Sequence, residues 1–353
     1  MLFKNVKNSF QSLCPYENIE KYNWFELVRF NEYSIYIGEL KGSIGNNAGD
    51  VILIKQYSLE YQNSYINILK QIFFSIFFKQ YSYFEKINDI LFDKNQNLYL
   101  VITSNYVSLK QLIYSKVFEY KKEEGLIKWV IYQITYSLYI LHFNKIIHGT
   151  LIPSSISINN FGHIFFSNMS SFSYFGENLQ SYDIFYCPPE FLIDSTKVDE
   201  KFDMWCLGVL ILELYCKESP IFYSDKIKDD KEAQLHYLLY KLGIFKSYSI
   251  EELKQKLKNN ENIKFKIDDK ILEKIDDKDA KELVQNLIVF NPRERYSVEQ
   301  VLKSNYLKKY LDMESMDIEK AQCPFTYTDV IQNNIDQGKF LEITKKLINA
   351  TKV

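Results

Sequence analysis

Residues Phe202–Leu214, FDMWCLGVLILEL, are apolar on nearly every side of a helical projection. A helix without a polar face has to be surrounded by other protein, since any face left in water would expose hydrocarbon. The apolar run is shorter than the roughly 20 residues that cross a bilayer, so the expected surroundings are the protein's own interior. At 353 residues the chain can bury such a helix inside one large two-lobed domain or two ordinary ones.

The pattern before this helix changes character along the chain. Between residues 24 and 55, short apolar runs (Phe25–Val28, Ser34–Ile37, Val51–Ile54) flank a Gly/Asn-rich stretch, Lys41–Asp50, which is strand and hairpin language. Residues 59–72 suit a short helix, and Phe84–Phe92 and Asn97–Ile102 suit two more strands joined by the turn Asp93–Gln96. From Glu123 to Phe143 the spacing of Leu126, Trp129, Val130, Ile134, Leu138 and Leu141 turns helical. Further helices are expected at 230–243, 250–258, 279–290 and 297–303. Asn291-Pro292 breaks the chain before the last, and Ser297 with Gln300 can form its capping box. A small β-rich lobe followed by a larger helical lobe results.

Composition removes several classes of function. Hydrophobic residues at 46% and charged residues at 25% exclude global disorder, and a net charge of -2 gives no nucleic-acid footprint or polybasic membrane arm. Cys14, Cys187, Cys206, Cys216 and Cys323 are scattered and form no C-x-x-C pair, against a disulfide framework. Met1–Phe10 lacks the apolar core of a signal peptide. A soluble, cytoplasmic protein with no membrane span and no nucleic-acid partner is expected. His142, His148, His163 and His236 lack partners at metal-ligand spacing, so no metal site is expected. Arg29, Arg293 and Arg295 are the only arginines in a Lys-, Asn- and Ile-rich chain, a bias that reads as AT-rich codon usage.

Four stretches in order carry a resemblance. WVIYQITYSLYILHFNKIIHGTLIPSSISI (Trp129–Ile158) is similar to a helix running into a protein-kinase catalytic loop, and YCPPEF (Tyr186–Phe191) to the A-P-E end of an activation segment. DMWCLGVLILEL (Asp203–Leu214) is similar to the D-x-W-x-x-G start of the buried helix, and NPRERYSVEQVL (Asn291–Leu302) to the closing arginine motif. The chain thus resembles the protein-kinase superfamily over roughly residues 24 to 306. NSYINILKQI, GHIFF and the degraded catalytic loop further resemble the degenerate kinase domains of TBC-domain-containing kinase-like and SCY-like proteins, although the stretch after residue 310 is too short for a TBC domain. The resemblance implies an α+β, two-lobed kinase-like fold, with a small five-stranded antiparallel lobe (24–103), a hinge near Thr103–Tyr106 and a mainly helical lobe (107–310). Residues 1–23 would be an N-terminal extension. Residues 311–353, with helical spacing around Phe340, Ile343 and Leu347, would form a helix packed on the larger lobe or a docking segment.

Phosphoryl transfer requires a glycine-rich phosphate loop, a gripping lysine, a proton acceptor and metal-binding side chains. The phosphate loop falls at Phe30–Tyr36, FNEYSIY, without a glycine and with a repelling Glu32. Lys55, at the end of VILIK, matches the nucleotide-gripping lysine, and a solvated strand lysine is the equal alternative. Its helix partner would fall near Tyr65, where no carboxylate stands, and Glu60 is the nearest candidate. In the catalytic loop Thr150 replaces the proton acceptor, Ile152 the phosphate-steadying lysine and Ser155 the metal-binding asparagine. A threonine hydroxyl does not titrate near neutrality and cannot serve as general base. Asn168 replaces the metal aspartate, and no Asp or Glu occurs between Glu124 and Glu177. Mg-ATP binding is therefore doubtful, and no cofactor is expected. Gly149 replaces the arginine that clamps an activation-segment phosphate, so Ser170, Ser171, Ser173 and Ser181 are read as belonging to a flexible polar loop.

The frame is retained. Glu190 and Arg295 match a buried ion pair whose rupture would cost about 3–5 kcal/mol if both partners are desolvated. Asp203 should accept hydrogen bonds from the catalytic-loop backbone, with His148 packed beneath it, and Arg293 should be solvent-exposed. The reading is a pseudokinase: a catalytically inactive kinase fold acting as a scaffold or protein-binding module for unidentified protein partners. The alternatives are an atypical ATP-dependent Ser/Thr kinase drawing its acid from Asp183 or Glu177, and a structural brick of a larger intracellular assembly.

Overall fold

The structure, a computed structural model, describes residues 22–29, 33–40, 52–57, 64–92, 97–103, 106–115, 124–159, 161–194, 198–227, 230–243, 248–259, 261, 267, 269–311, 339–340 and 342–344. The expectations for Lys41–Asp50, Asp93–Gln96, Glu32, Glu60, Cys14, Cys323 and residues 1–21 of the N-terminal extension lie outside the described residues, while Tyr22 and Asn23, counted in that extension, open a strand. The chain divides into two compact units, Met1–Tyr106 with Ala321–Val353, and Val107–Lys320.

In the first unit, strands β1 (Tyr22–Arg29), β2 (Tyr33–Leu40), β3 (Ile52–Tyr57), β4 (Ile87–Phe92) and β5 (Leu98–Thr103) form an antiparallel sheet in the order β1-β2-β3-β5-β4. Register sets Lys55 of β3 opposite Ile35 on one side and Leu100 on the other. Helix α1 (Ser64–Phe77) lies further along the chain than the expected 59–72. Its second half, rich in phenylalanine, continues the apolar face: Phe73 and Phe74 are buried, Phe78 just beyond is buried too, and Phe78 stacks on Phe84 with centroids 4.4 Å apart.

Strand β4 starts at Ile87 rather than Phe84 because a helix side chain takes over the backbone there. The Ser75 hydroxyl of α1 donates to the Glu85 carbonyl at 3.1 Å and accepts from the Ile87 N–H at 3.0 Å. Groups satisfied this way do not enter the ladder.

The second unit holds α2 (Leu109–Tyr114), α3 (Glu124–Phe143), α4 (Pro189–Ile193), α5 (Glu200–Cys216), α6 (Lys231–Lys241), α7 (Ile250–Lys258), α8 (Asp269–Leu272), α9 (Lys278–Leu287), α10 (Val298–Leu302) and α11 (Lys308–Leu311). Helix α5 is the apolar helix of the sequence, and every residue from Phe202 to Leu214 is buried. Asp199 caps its N-terminus, its side chain accepting from the Lys201 N–H at 2.9 Å. Gly208 lets α5 approach α9, since a β-carbon there would come within 2.9 Å of both Leu287 Cβ and Ile288 Cγ1. Ser297 and Gln300 form the capping box of α10. No helix among the described residues is long and apolar enough to cross a membrane.

The described residues near 340 belong to the first unit. The Phe340 ring stacks on Tyr65 of α1 with centroids 4.6 Å apart, and Phe340, Ile343 and Thr344 are all buried. Tyr65 faces an aromatic ring, which explains why the position expected to hold a carboxylate holds none.

Candidate nucleotide-lysine and catalytic-loop sites

In the first unit, β3 presents Lys55 and the approach to β4 presents a carboxylate. Lys55 Nζ lies 3.3 Å from Glu85 Oε2, and the Gln71 amide of α1 donates to the same oxygen at 3.2 Å. Glu85 is 6% exposed and Lys55 18%. Burial pushes the Glu85 carboxyl up, and the lysine charge and hydrogen bond pull it back. Glu85 is the residue that sequence reasoning missed: the search ran along the helix, while the partner stands just before the next strand. The available signal was one acid among the apolar and aromatic residues YFEKI.

In the second unit, α5 positions the catalytic loop through one carboxylate. Asp203 Oδ2 accepts from the His148 N–H at 2.7 Å, and Oδ1 accepts from the Gly149 N–H at 3.0 Å. His142, for which the sequence suggested no task, places Nε2 3.0 Å from Asp203 Oδ2. The buried His148 ring packs against Phe166 and Phe172, with centroids 4.6 and 5.1 Å away. Burial lowers its pKa to about 4, outweighing the attraction of Asp203 for its proton, so the ring is neutral.

Thr150 and Ser155, two of the positions where the resemblance expects chemistry, lie with Ser171 among hydrogen-bonded neutral groups. The Thr150 hydroxyl is buried and donates to Ser171 Oγ at 2.8 Å. Ser171 Oγ in turn lies 3.0 Å from the His148 carbonyl and 2.8 Å from the Asn168 carbonyl. Ser155 Oγ lies 2.8 Å from the Thr150 carbonyl and 2.9 Å from the Ile152 carbonyl, and accepts from the Ile152 N–H at 3.2 Å. Asn168 is exposed, and its side-chain oxygen accepts from Ser170 at 2.7 Å. Ile152 is half-buried.

Gly149 adopts φ +76°, and a β-carbon there would lie 2.8 Å from Leu179 Cδ2 and 2.9 Å from the Ser171 carbonyl oxygen. A side chain at this position would have to displace Leu179 or the Ser171 carbonyl.

The activation segment is more built than a polar loop. Met169–Ser171 and Ile184–Tyr186 are 3-10 turns, and Ser173 and Tyr174 pair with Ile147 and Ile146. Ser171 and Ser173 are buried, and Ser181 is exposed. The two acids available to an atypical mechanism serve local backbone: Asp183 Oδ1 accepts from Phe185 N–H and Glu177 Oε2 from Tyr174 N–H, both at 3.0 Å.

Arg295 grips Glu190 with two bonds, Nη1 to Oε1 at 2.8 Å and Nη2 to Oε2 at 3.0 Å. Its guanidinium also donates to the carbonyls of Lys201 and Val289 and lies over Trp205. The two partners are not equally desolvated, for the arginine side chain is 0% exposed and Glu190 23%. Glu190 sits in the first turn of α4 with one side open, so the pair is worth less than a fully buried one. Arg293 is exposed.

The protein kinase domain family matches residues 54–307 of this chain. The chain belongs to that family. A kinase relative, serine/threonine-protein kinase KDX1 of Saccharomyces cerevisiae, is 25% identical over 284 residues, a stretch covering 75% of this chain and 62% of that protein. In this kinase domain Asp203 holds the backbone of His148 and Gly149, and Arg295 holds Glu190.

Proposed function

We propose that this kinase domain is a catalytically inactive binding module, a scaffold for protein partners inside the cell. One observation carries the reading: Thr150, where the proton acceptor belongs, keeps its hydroxyl buried and bonded to Ser171, within a span that contains no carboxylate. A proton acceptor for a substrate hydroxyl must gain a proton near neutral pH, and a hydroxyl already donating to a neighbour does not.

The residues present do not fit the magnesium that the fold family uses. Ser155 and Asn168 offer neutral oxygens engaged with protein partners, and hard dications take carboxylates. Among the described residues no group of three or more His, Cys, Asp or Glu is placed to hold a metal ion. The weaker likeness to the degenerate kinase domains of TBC-domain-containing kinase-like and SCY-like proteins points the same way. Retention of Lys55 and the likeness to a yeast serine/threonine-protein kinase favour the second reading, an ATP-dependent Ser/Thr kinase.

The test is thermal unfolding with ATP, with and without magnesium, beside phosphotransfer assays of wild type and Thr150→Asp. A ligand binding only the folded state adds about 2.7 kcal/mol at a hundredfold excess over its Kd. The inactive reading expects no magnesium-dependent shift and no phosphotransfer from either protein, since Thr150→Asp restores one group and leaves the metal positions neutral. Phosphotransfer by that single variant, or a magnesium-dependent shift abolished in Lys55→Ala, establishes the second reading.

A further inference from the structure

Lys55 is the one residue of the nucleotide machinery that the sequence keeps, and its surroundings give it different work. The ammonium is largely buried beside a carboxylate that is itself almost fully buried. That carboxylate is not a stray surface acid. Gln71 of α1 donates to the same oxygen that faces Lys55, and Ser75, one helical turn further on, holds the Glu85 carbonyl and the Ile87 N–H. Three side chains from two elements therefore converge on one short segment ahead of β4. Buried charges persist only when paired and hydrogen-bonded, so the buried Glu85 calls for a cation beside it, and Lys55 stands there.

We infer that Glu85 is the built-in counter-charge of Lys55, and that the Lys55–Glu85–Gln71 cluster is a structural tie holding β3 against α1 without nucleotide. The inference rests on the inactive reading for its significance: the lysine is retained because a buried glutamate depends on it, and not because a phosphate does. It also explains the missing helix carboxylate, since Tyr65 is free to pack on Phe340 once the counter-charge comes from another element.

The tie is tested in nucleotide-free protein by melting Lys55→Met, Glu85→Gln and the double variant. Lys55→Met removes the cation beside the buried Glu85 and Glu85→Gln removes the anion beside Lys55, and the expected fall in Tm is about 5 °C or more. The double variant removes both charges and is expected to melt closer to wild type than the sum of the two singles requires. Unchanged single variants, or strictly additive losses, overturn the inference.

Acylation of surface lysines in folded wild type supplies a measurement that needs no variant. Lys55 should label far more slowly than the exposed Lys79 and Lys110, equally so with and without ATP. Labelling at the surface rate, or protection that appears only with ATP, overturns the tie. Phosphotransfer activity would overturn the inactive reading and leave the coupling between Lys55 and Glu85 as measured.

Discussion

Gly149, where the resemblance expects a phosphate-clamping arginine, sits in a backbone that calls for glycine. Its positive φ is costly for any residue with a β-carbon, and the space such an atom would fill belongs to Leu179 and the Ser171 carbonyl. Gly149→Arg, which restores the family's side chain, is expected to destabilise the fold by about 2–5 kcal/mol from backbone strain and overpacking together. Chemical denaturation would show this as a lower midpoint at an unchanged slope, and a neutral effect would mean that the loop relaxes freely. The expectations at Thr150, Ile152, Ser155 and Asn168 rest on the motifs that flank them and set their register. Their partners were not legible. Thr150 meets Ser171 across 21 positions and Lys55 meets Glu85 across 30, and no local pattern announces such pairs.

Among the elements, those with strong periodicity followed the sequence and those set by tertiary contacts departed from it. The long helix α3 and the buried helix α5 were readable because their apolar spacing leaves no other arrangement. Helix α1 and the start of β4 moved because Ser75, Phe73 and Phe74 act through packing and side-chain bonds. The segment around Phe340 is seated on α1, a contact that its helical spacing did not specify. Tyr65 is 1% exposed beneath it and Phe340 is 0% exposed. Phe340→Ala should therefore destabilise by about 3–5 kcal/mol, the usual range for removing a buried phenyl ring. Amide exchange along α1 should accelerate more than in α9, which lies in the other unit. Equal acceleration in both helices would mean that the loss is global and that Phe340 does not hold α1 in particular.

At the scale of the whole molecule, two buried groups bias stability in opposite directions with pH. His148 has its pKa lowered from 6.5 to about 4, so below pH 6.5 the unfolded chain takes up a proton that the folded chain refuses. Stability is lost on acidification from 6.5 to 4, by on the order of 3 kcal/mol at about 1.4 kcal/mol per unit. Glu213 behaves in reverse. Burial raises its pKa from 4.5 to about 8, against the hydrogen bonds it receives from Ile221 N–H and the Tyr186 hydroxyl, each 3.0 Å long. Above pH 4.5 the unfolded chain releases a proton that the folded chain keeps, and stability falls as pH rises towards 8, by on the order of 5 kcal/mol. Glu85, also raised, adds to the alkaline side. Between pH 4.5 and 6.5 the slopes of His148 and Glu213 cancel, so their joint effect is a plateau with a decline on each side. Denaturation midpoints measured from pH 4 to 9 check this, with His148→Phe expected to flatten the acid limb and Glu213→Gln the alkaline one. A variant that leaves its own limb unchanged would assign that limb to other groups. The pH range over which this domain is most stable is thus set by His148 and Glu213, two groups of its buried interior.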